Sequence, residues 1–403
     1  MHDIKDMGCP EAVRTLIHYL KTQGIAAYPV GGCVRDALLG IPPHDWDLAV
    51  ETTPENLMEA CKNGGYRTVP TGLKHGTVTV LTEAGHVECT ACRFEGDYTD
   101  GRHPDSVTFT YRLADDLSRR DFTVNAMAAE LREDGTFVIV DLFGGQDDLQ
   151  KKLIRCVGDP HRRFAEDALR LMRAVRFCVK LGFEMEENTY AALVDAREGL
   201  ARVSRERIAD EMRKTLCSPR PSAGMALLQR SGLMPTVLPY GISPHGMGDL
   251  ESLPCVFTER MGCLLRGMPQ EDVRNTLNGL KLSNAEKRSI LAYAYPTLPQ
   301  GQDAISARRL RRAYGKEALA VLRVCQAGGM DVDRLTEGVM LSEERGDPVT
   351  LGELAVKGDD LLRFNMKGEE IKVTLDALLD WVIIDPEKNH YEILLTAALE
   401  WRY

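Results

Sequence analysis

The chain has no apolar run near the roughly 18–20 residues that a membrane-spanning helix needs. The first residues, MHDIKDMGCPEAVRTLIHYL, carry acids and no small-residue cleavage site after an apolar core, so no secretory leader is expected. A second cysteine pair is also missing. Cys89-Thr90-Ala91-Cys92 stands alone, and without a partner pair at suitable spacing it does not read as a zinc site. The eleven cysteines are scattered and odd in number, which fits reduced cytoplasmic thiols better than a disulfide framework. No internal repeat and no low-complexity segment is present, which excludes solenoids and disordered arrays.

Excess positive charge is lacking too. The net charge of −10 over 403 residues argues at first against a nucleic-acid partner. Its distribution weakens that objection. Residues 331–403 hold 17 acids and 8 bases, leaving only −1 for the first 330 residues. Residues 155–214 carry 13 bases and 11 acids, so a local basic face can still meet a phosphate backbone. The plainer reading is a protein kept soluble by an acidic tail. A length of 403 residues allows two or three domains and a large core.

What the sequence does contain falls into two halves. Residues 11–23 show helical apolar spacing ended by Gly24. Residues 25–30 read as a strand, 34–39 as a short helix, 45–50 as a strand and 54–63 as a helix. TVTVL (77–81) and HVECTACR (86–93) read as a hairpin, and 136–143 as a further strand. The stretch from Phe94 to Ser106 has no apolar periodicity and reads as a loop. From about residue 160 strand signals fade. RRFAEDALRLMRAVRFCVKLGF reads as one strong amphipathic helix, as do 202–216, with Ser204 and Arg207 in its first turn, and 310–325. The chain is therefore α+β: a mixed-sheet head followed by helices.

Three blocks carry chemistry. In the first, Gly31-Gly32 opens a turn, Arg35 follows within a helical turn, and Asp45 and Asp47 sit in a strand. Strand positions i and i+2 share a face, so the two carboxylates stand about 6–7 Å apart on one side, able to grip divalent cations. Metal ions about 4 Å apart clamp the attacking and leaving oxygens in phosphoryl transfer. Glu88, if its strand neighbours that of Asp45, is a third ligand or orients the metal site; otherwise it is a solvent-facing acid. Glycines without Cβ atoms let a triphosphate approach the backbone, and Arg35 suits its oxygens. In the second block, Arg119-Arg120-Asp121 precedes a short apolar segment, which reads plainly as a helix start with exposed arginines. In the third, Asp167 and Arg170 are expected as i,i+3 neighbours on a helix surface. They form either an ordinary surface salt bridge or an acceptor–donor edge. Such an edge complements the amino group and ring nitrogen of cytosine or adenine. It opposes the keto and N–H groups of uracil and guanine, leaving unpaired groups at about 1–3 kcal/mol each.

The ordered blocks GGCVRD…DWD, RRDFTVNAMA and EDALRLMRAVRF resemble the class II tRNA nucleotidyltransferase / poly(A) polymerase family, and the compact bacterial CCA-adding form in particular. LAVKGDDLLRFNMKGEEIKVTLDALLDWVIIDPEKN resembles that form's tail. Residues 217–330 match only in helical character. The resemblance implies a polymerase-β-like catalytic head (1–155), a helical neck with the base-reading helix (156–220), a helical body (221–330) and an acidic tRNA-binding tail (331–403). It implies addition of C, C and A to tRNA 3′ ends from CTP and ATP with release of pyrophosphate. The alternatives are CC, A or poly(A) addition, or a non-catalytic RNA-binding relative. It places Mg²⁺ on Asp45 and Asp47; Glu88, read from its strand alone, joins them as a candidate catalytic acid. It places nucleotide contacts on Gly32, Arg35, Arg120, Arg173 and Arg176, a ribose contact on Asp121, and base reading on Asp167 and Arg170. The family's flexible loop maps to Tyr98–Asp105. Trp46 stands where a smaller aliphatic residue is common, and Ala49-Val50-Glu51 where a Thr often follows. No His-Asp phosphohydrolase signature appears downstream. Partners are tRNA, CTP and ATP, with no membrane and no obligatory protein partner, and the expected location is the cytoplasm.

Overall fold

A computed structural model describes residues 3–4, 7–73, 76–96, 107–243 and 248–401. The loop expected at Tyr98–Asp105 lies outside these residues. The chain divides into two compact units, Met1–Pro239 and Tyr240–Tyr403. The segments expected as head and neck share the first unit.

The first unit opens with β1 (Asp3–Ile4), α1 (Glu11–Thr22), β2 (Ala27–Pro29), α2 (Gly32–Leu38), β3 (Trp46–Val50) and α3 (Pro54–Asn63). Next come β4 (Arg67–Gly72), β5 (Thr77–Thr82), β6 (Gly85–Ala91), β7 (Arg93–Glu95) and β8 (Val107–Phe109). A sheet of order β2-β3-β6-β5-β4 results, with β3 and β6 parallel and the other neighbours antiparallel. α1 buries Val13, Leu16, Ile17 and Leu20 on one stripe, as its 3.6-residue spacing requires.

After α4 (Leu113–Ser118), β9 (Met127–Leu131) and β10 (Phe137–Asp141) join β1 in a second, antiparallel sheet. The two sheets meet where Val30 bridges Ala128 and the Gly31 N–H donates to the Met127 carbonyl at 3.0 Å. α5 (Gly145–Lys151) and β11 (Leu153–Ile154) lead into the helices. These are α6 (Pro160–Glu166), α7 (Leu169–Leu181), α8 (Glu187–Ala196), α9 (Arg205–Leu216), α10 (Pro221–Arg230) and α11 (Met234–Val237). The short β12 (Glu184–Met185) pairs in parallel with β11.

Two long helices read from periodicity are interrupted. The segment from Arg162 to Phe183 is not one helix. Asp167 adopts an extended conformation (φ −144°, ψ 104°), ending α6, and α7 starts two residues later. Asp167 and Arg170 are therefore not neighbours on one continuous helix surface. Likewise Gly315, at φ 54°, breaks 310–325 into Ala304–Tyr314 and Ala318–Ala327.

The second unit is helical. Glu369–Ile384 and Tyr391–Glu400 enclose a core of Leu378, Leu379, Val382, Ile383 and Leu394. The buried Arg308 guanidinium donates to the Ile383 carbonyl (2.6 Å), the Ile384 carbonyl (3.1 Å) and Asp347 (3.1 Å). It thereby satisfies two of the carbonyls that a helix end leaves without partners. Among the described residues no helix is long and apolar enough to cross a membrane.

Candidate active site

β3 runs through the middle of the first sheet with Trp46 and Leu48 buried and Asp47 on the open face. Asp45 precedes the strand by one residue, so alternation puts it on the same side as Asp47. In the parallel register Asp47 stands beside Glu88 of β6. The condition set for Glu88 by the sequence is thus met, and three acids gather at one sheet end. The wall around Asp47 strips away much of its water. Together with repulsion from Glu88 and Asp45, and against the pull of Arg120, this pushes its carboxyl up to about 6. A cation is the natural relief for such crowding. The donors are all carboxylate oxygens, which suit hard divalent ions. Among the described residues no group of three His, Cys, Asp or Glu side chains is assembled as a ready cage.

Gly31 caps α2 at φ 75°, and a Cβ there would sit 2.7 Å from Arg120 Nη1. Glycine is required on both counts, conformation and the close approach of that guanidinium. The Arg35 side chain is buried. It donates to Asn125 Oδ1 (2.5 Å) and Asp36 Oδ1 (2.8 Å).

The Arg119-Arg120 pair does not stand free as exposed arginines would. Asp116, fully buried in α4, accepts from Arg119 Nε (3.0 Å) and Nη2 (2.5 Å) through Oδ1. It accepts from Arg120 Nε (3.1 Å) and Nη2 (2.9 Å) through Oδ2. Burial alone would raise the Asp116 carboxyl, but the two guanidiniums hold it below the usual range.

Asp121 is engaged on both oxygens. Oδ1 accepts from the Phe122 N–H (2.9 Å) and Asn125 Nδ2 (3.3 Å), and Oδ2 accepts from Arg173 Nε (2.7 Å). Burial opposes its ionisation, yet Arg173 draws its carboxyl down to about 2.

At the α6–α7 break, Asp167 Oδ1 accepts from the Leu169 N–H at 3.0 Å, as a capping carboxylate does. Its ion-pair partner is Arg207 of α9, not Arg170. Arg170 Nη1 donates to Glu166 (2.6 Å) and the Arg163 carbonyl (2.9 Å), and Nη2 to the Arg119 carbonyl (3.1 Å). Arg176 Nε stands 2.7 Å from Glu211 Oε2. The Phe177 ring lies beneath the guanidiniums of Arg176 (4.2 Å), Arg35 and Arg173 (5.5 Å each).

These side chains surround one cavity of about 490 Å³, the volume of a nucleotide-sized ligand. Gly32, Arg35, Asp47, Arg120, Asp121, Asp167, Arg170, Arg173 and Arg176 all line it. Asp45 and Glu88 do not; they adjoin it through Asp47. Sequence reading missed Arg119, Asn125, Phe177, Lys180 and Arg207, which also line it. Arg119, Asn125 and Phe177 stand inside the RRDFTVNAMA and EDALRLMRAVRF blocks and Arg207 in the first turn of a strongly amphipathic helix, but none of them was assigned a nucleotide contact. A second cavity, about 560 Å³, opens against the other face of α7, between Gly182, Met185, Tyr190, Arg220 and Arg230.

Acids on a sheet strand beside an arginine-lined cavity of this size define a nucleotidyltransferase. Residues 27–155 match the model of the poly A polymerase head domain, and 182–242 that of the probable RNA and SrmB-binding site of polymerase A. The CCA-adding enzyme of Limosilactobacillus fermentum is 36% identical over 397 residues, spanning 97% of this chain and 96% of that one. That of Geobacillus kaustophilus is 36% identical over 399 residues, spanning 96% and 95%. The crystal structure of Bacillus stearothermophilus CCA-adding enzyme in complex with CTP superposes with a TM-score of 0.81. Its identity is 32%, and 97% of each chain is covered. The Thermotoga maritima enzyme complexed with tRNA shares the fold at a TM-score of 0.71 and 22% identity, over 100% and 99% of the chains. The chain belongs to the CCA-adding enzyme family. Nucleotidyl transfer in this family depends on a divalent metal.

Proposed function

We propose that the cavity between β3, α2, α4 and α7 takes CTP and ATP in turn and joins C, C and A to the 3′ end of tRNA. Asp45 and Asp47 hold the metal, read here as Mg²⁺ from their hard oxygen donors, with Glu88 beside them. When bound, such ions lower the pKa of the RNA 3′-hydroxyl and offset charge on the α-phosphate and departing pyrophosphate.

The remaining work belongs to the chain's own groups. Arg35 and Arg120 face the triphosphate beside the Gly31-Gly32 turn, where backbone approach is closest. Asn125 and Asp116 hold those guanidiniums in place, so little ordering remains when nucleotide binds. Arg173 and Arg176, stacked on Phe177, contribute further positive charge. Asp121 acts here by anchoring Arg173, both of its oxygens being engaged within the chain. Asp167 and Arg170 read the base edge.

The cavity edged by Arg220 and Arg230 lies within the RNA-binding segment and meets the tRNA backbone. No ion pair of either guanidinium is found among the described residues, so both are available to phosphate. The division into head, neck, body and tail follows the family, with the tail touching RNA by shape rather than charge. No disulfide joins any of the eleven cysteines.

The observation that carries this reading is the meeting of Asp47 with Asp167 and Arg170 in one cavity. Incubating a tRNA that lacks its 3′ CCA with single nucleotides tests it. The expected order is two C additions, then one A, with none by Asp47→Ala although tRNA binding persists. Turnover by Asp47→Ala, or A addition alone, contradicts it.

A further inference from the structure

α9 brings two opposite charges to α7. Arg207 and Glu211 are four residues apart and share one helix face. Arg207 donates from Nη1 to Asp167 Oδ1 (3.2 Å) and from Nη2 to Oδ2 (2.8 Å), while Glu211 meets Arg176. We propose that Arg207 is a specificity-determining positioning residue: its two-point hold on Asp167 leaves that carboxylate one acceptor position for the incoming base. The inference rests on Asp167 and Arg170 being the base-reading pair.

The count of lone pairs supports it. Each carboxylate oxygen accepts two hydrogen bonds. On Oδ1 the Leu169 N–H and Arg207 Nη1 occupy both positions. On Oδ2 Arg207 Nη2 takes one, and one is left. Arg170 has five N–H groups. Three are committed to Arg163, Glu166 and Arg119, which leaves an Nη2 hydrogen and Nε–H. What remains of the pair is one acceptor and two donors, and the acceptor with one donor complements an exocyclic amino group beside a ring nitrogen.

Arg207 supplies the restriction by geometry: its planar fork stops the carboxylate from rotating. Without Arg207 the edge gains acceptor positions and freedom, and selection should loosen.

The test measures kcat/KM for CTP, ATP and UTP on the same tRNA with full-length R207Q, R207K and D167A. A lost charged hydrogen bond corresponds to about 10- to 100-fold, so the UTP-to-CTP efficiency ratio of R207Q should rise by about that factor, mainly through a higher KM for CTP. R207K keeps the charge but not the fork and should fall between. If R207Q does not fold, R207K decides: a wild-type ratio overturns the inference. Equal losses for CTP and UTP, with the ratio fixed, also overturn it, because they mark a merely structural role. Relaxed selection in D167A alongside wild-type selection in R207Q and R207K removes Arg207's part and leaves the base-reading pair standing. Unchanged selection in D167A removes the pair itself.

Discussion

Replacing Asp121 by Asn tests the electrostatic frame of the cavity. The Asp121 carboxyl is drawn from an ordinary 3.8 to about 2, with burial opposing ionisation and Arg173 overriding it. Nearly two pH units at about 1.4 kcal/mol each give about 2 kcal/mol of stability from the ionised form. The pKa is lowered in the folded chain, so this contribution is complete well above pH 3.8. It fades as pH falls through 3.8 toward 2. At pH 7 Asp121→Asn should unfold about 2 kcal/mol more easily, and by pH 3 the gap should shrink to about half. Urea unfolding reads this through Trp46, buried on β3 of the same unit, with Trp381 and Trp401 replaced by Phe. A gap that is absent at pH 7, or that does not change down to pH 3, refutes the Asp121–Arg173 linkage.

Reversing charge at the second cavity separates RNA binding from chemistry. Arg220→Glu with Arg230→Glu should weaken tRNA binding about tenfold or more and flatten its salt dependence, as expected when phosphate contacts are lost. The KM for CTP should stay at the wild-type value. Unchanged tRNA affinity places the RNA path elsewhere.

How much of this was legible in the sequence follows from how local each signal is. The acid pair of β3 could be read because two-residue alternation is a property of any strand; that Glu88 stands beside it was not, because the parallel pairing of β3 with β6 joins strands distant in sequence. The turn at Gly31-Gly32 was visible as a glycine pair. Its second reason, the Arg120 guanidinium packed against Gly31, was not, because it joins positions far apart in sequence. Asp116 lies within four residues of both arginines that it clamps, yet LADDLS offers two acids and no local rule selects the buried one.

The break at Asp167 was hidden for a different reason. Apolar spacing continues through Phe164, Leu171 and Val175, so periodicity reports one helix. What ends α6 is the Asp167 carboxylate, which takes up the Leu169 N–H and the Arg207 fork instead of the helix continuing. A pair read as i,i+3 neighbours is in fact a capping acid held from another helix, with an arginine tied to Glu166.

The most direct measurement is a crystal structure of this chain with CTP. The expected result is the triphosphate beside Gly31, Arg35 and Arg120, the cytosine amino group on Asp167 and its ring nitrogen on Arg170. A cytosine seated away from α7, or a triphosphate remote from Asp47, would contradict it.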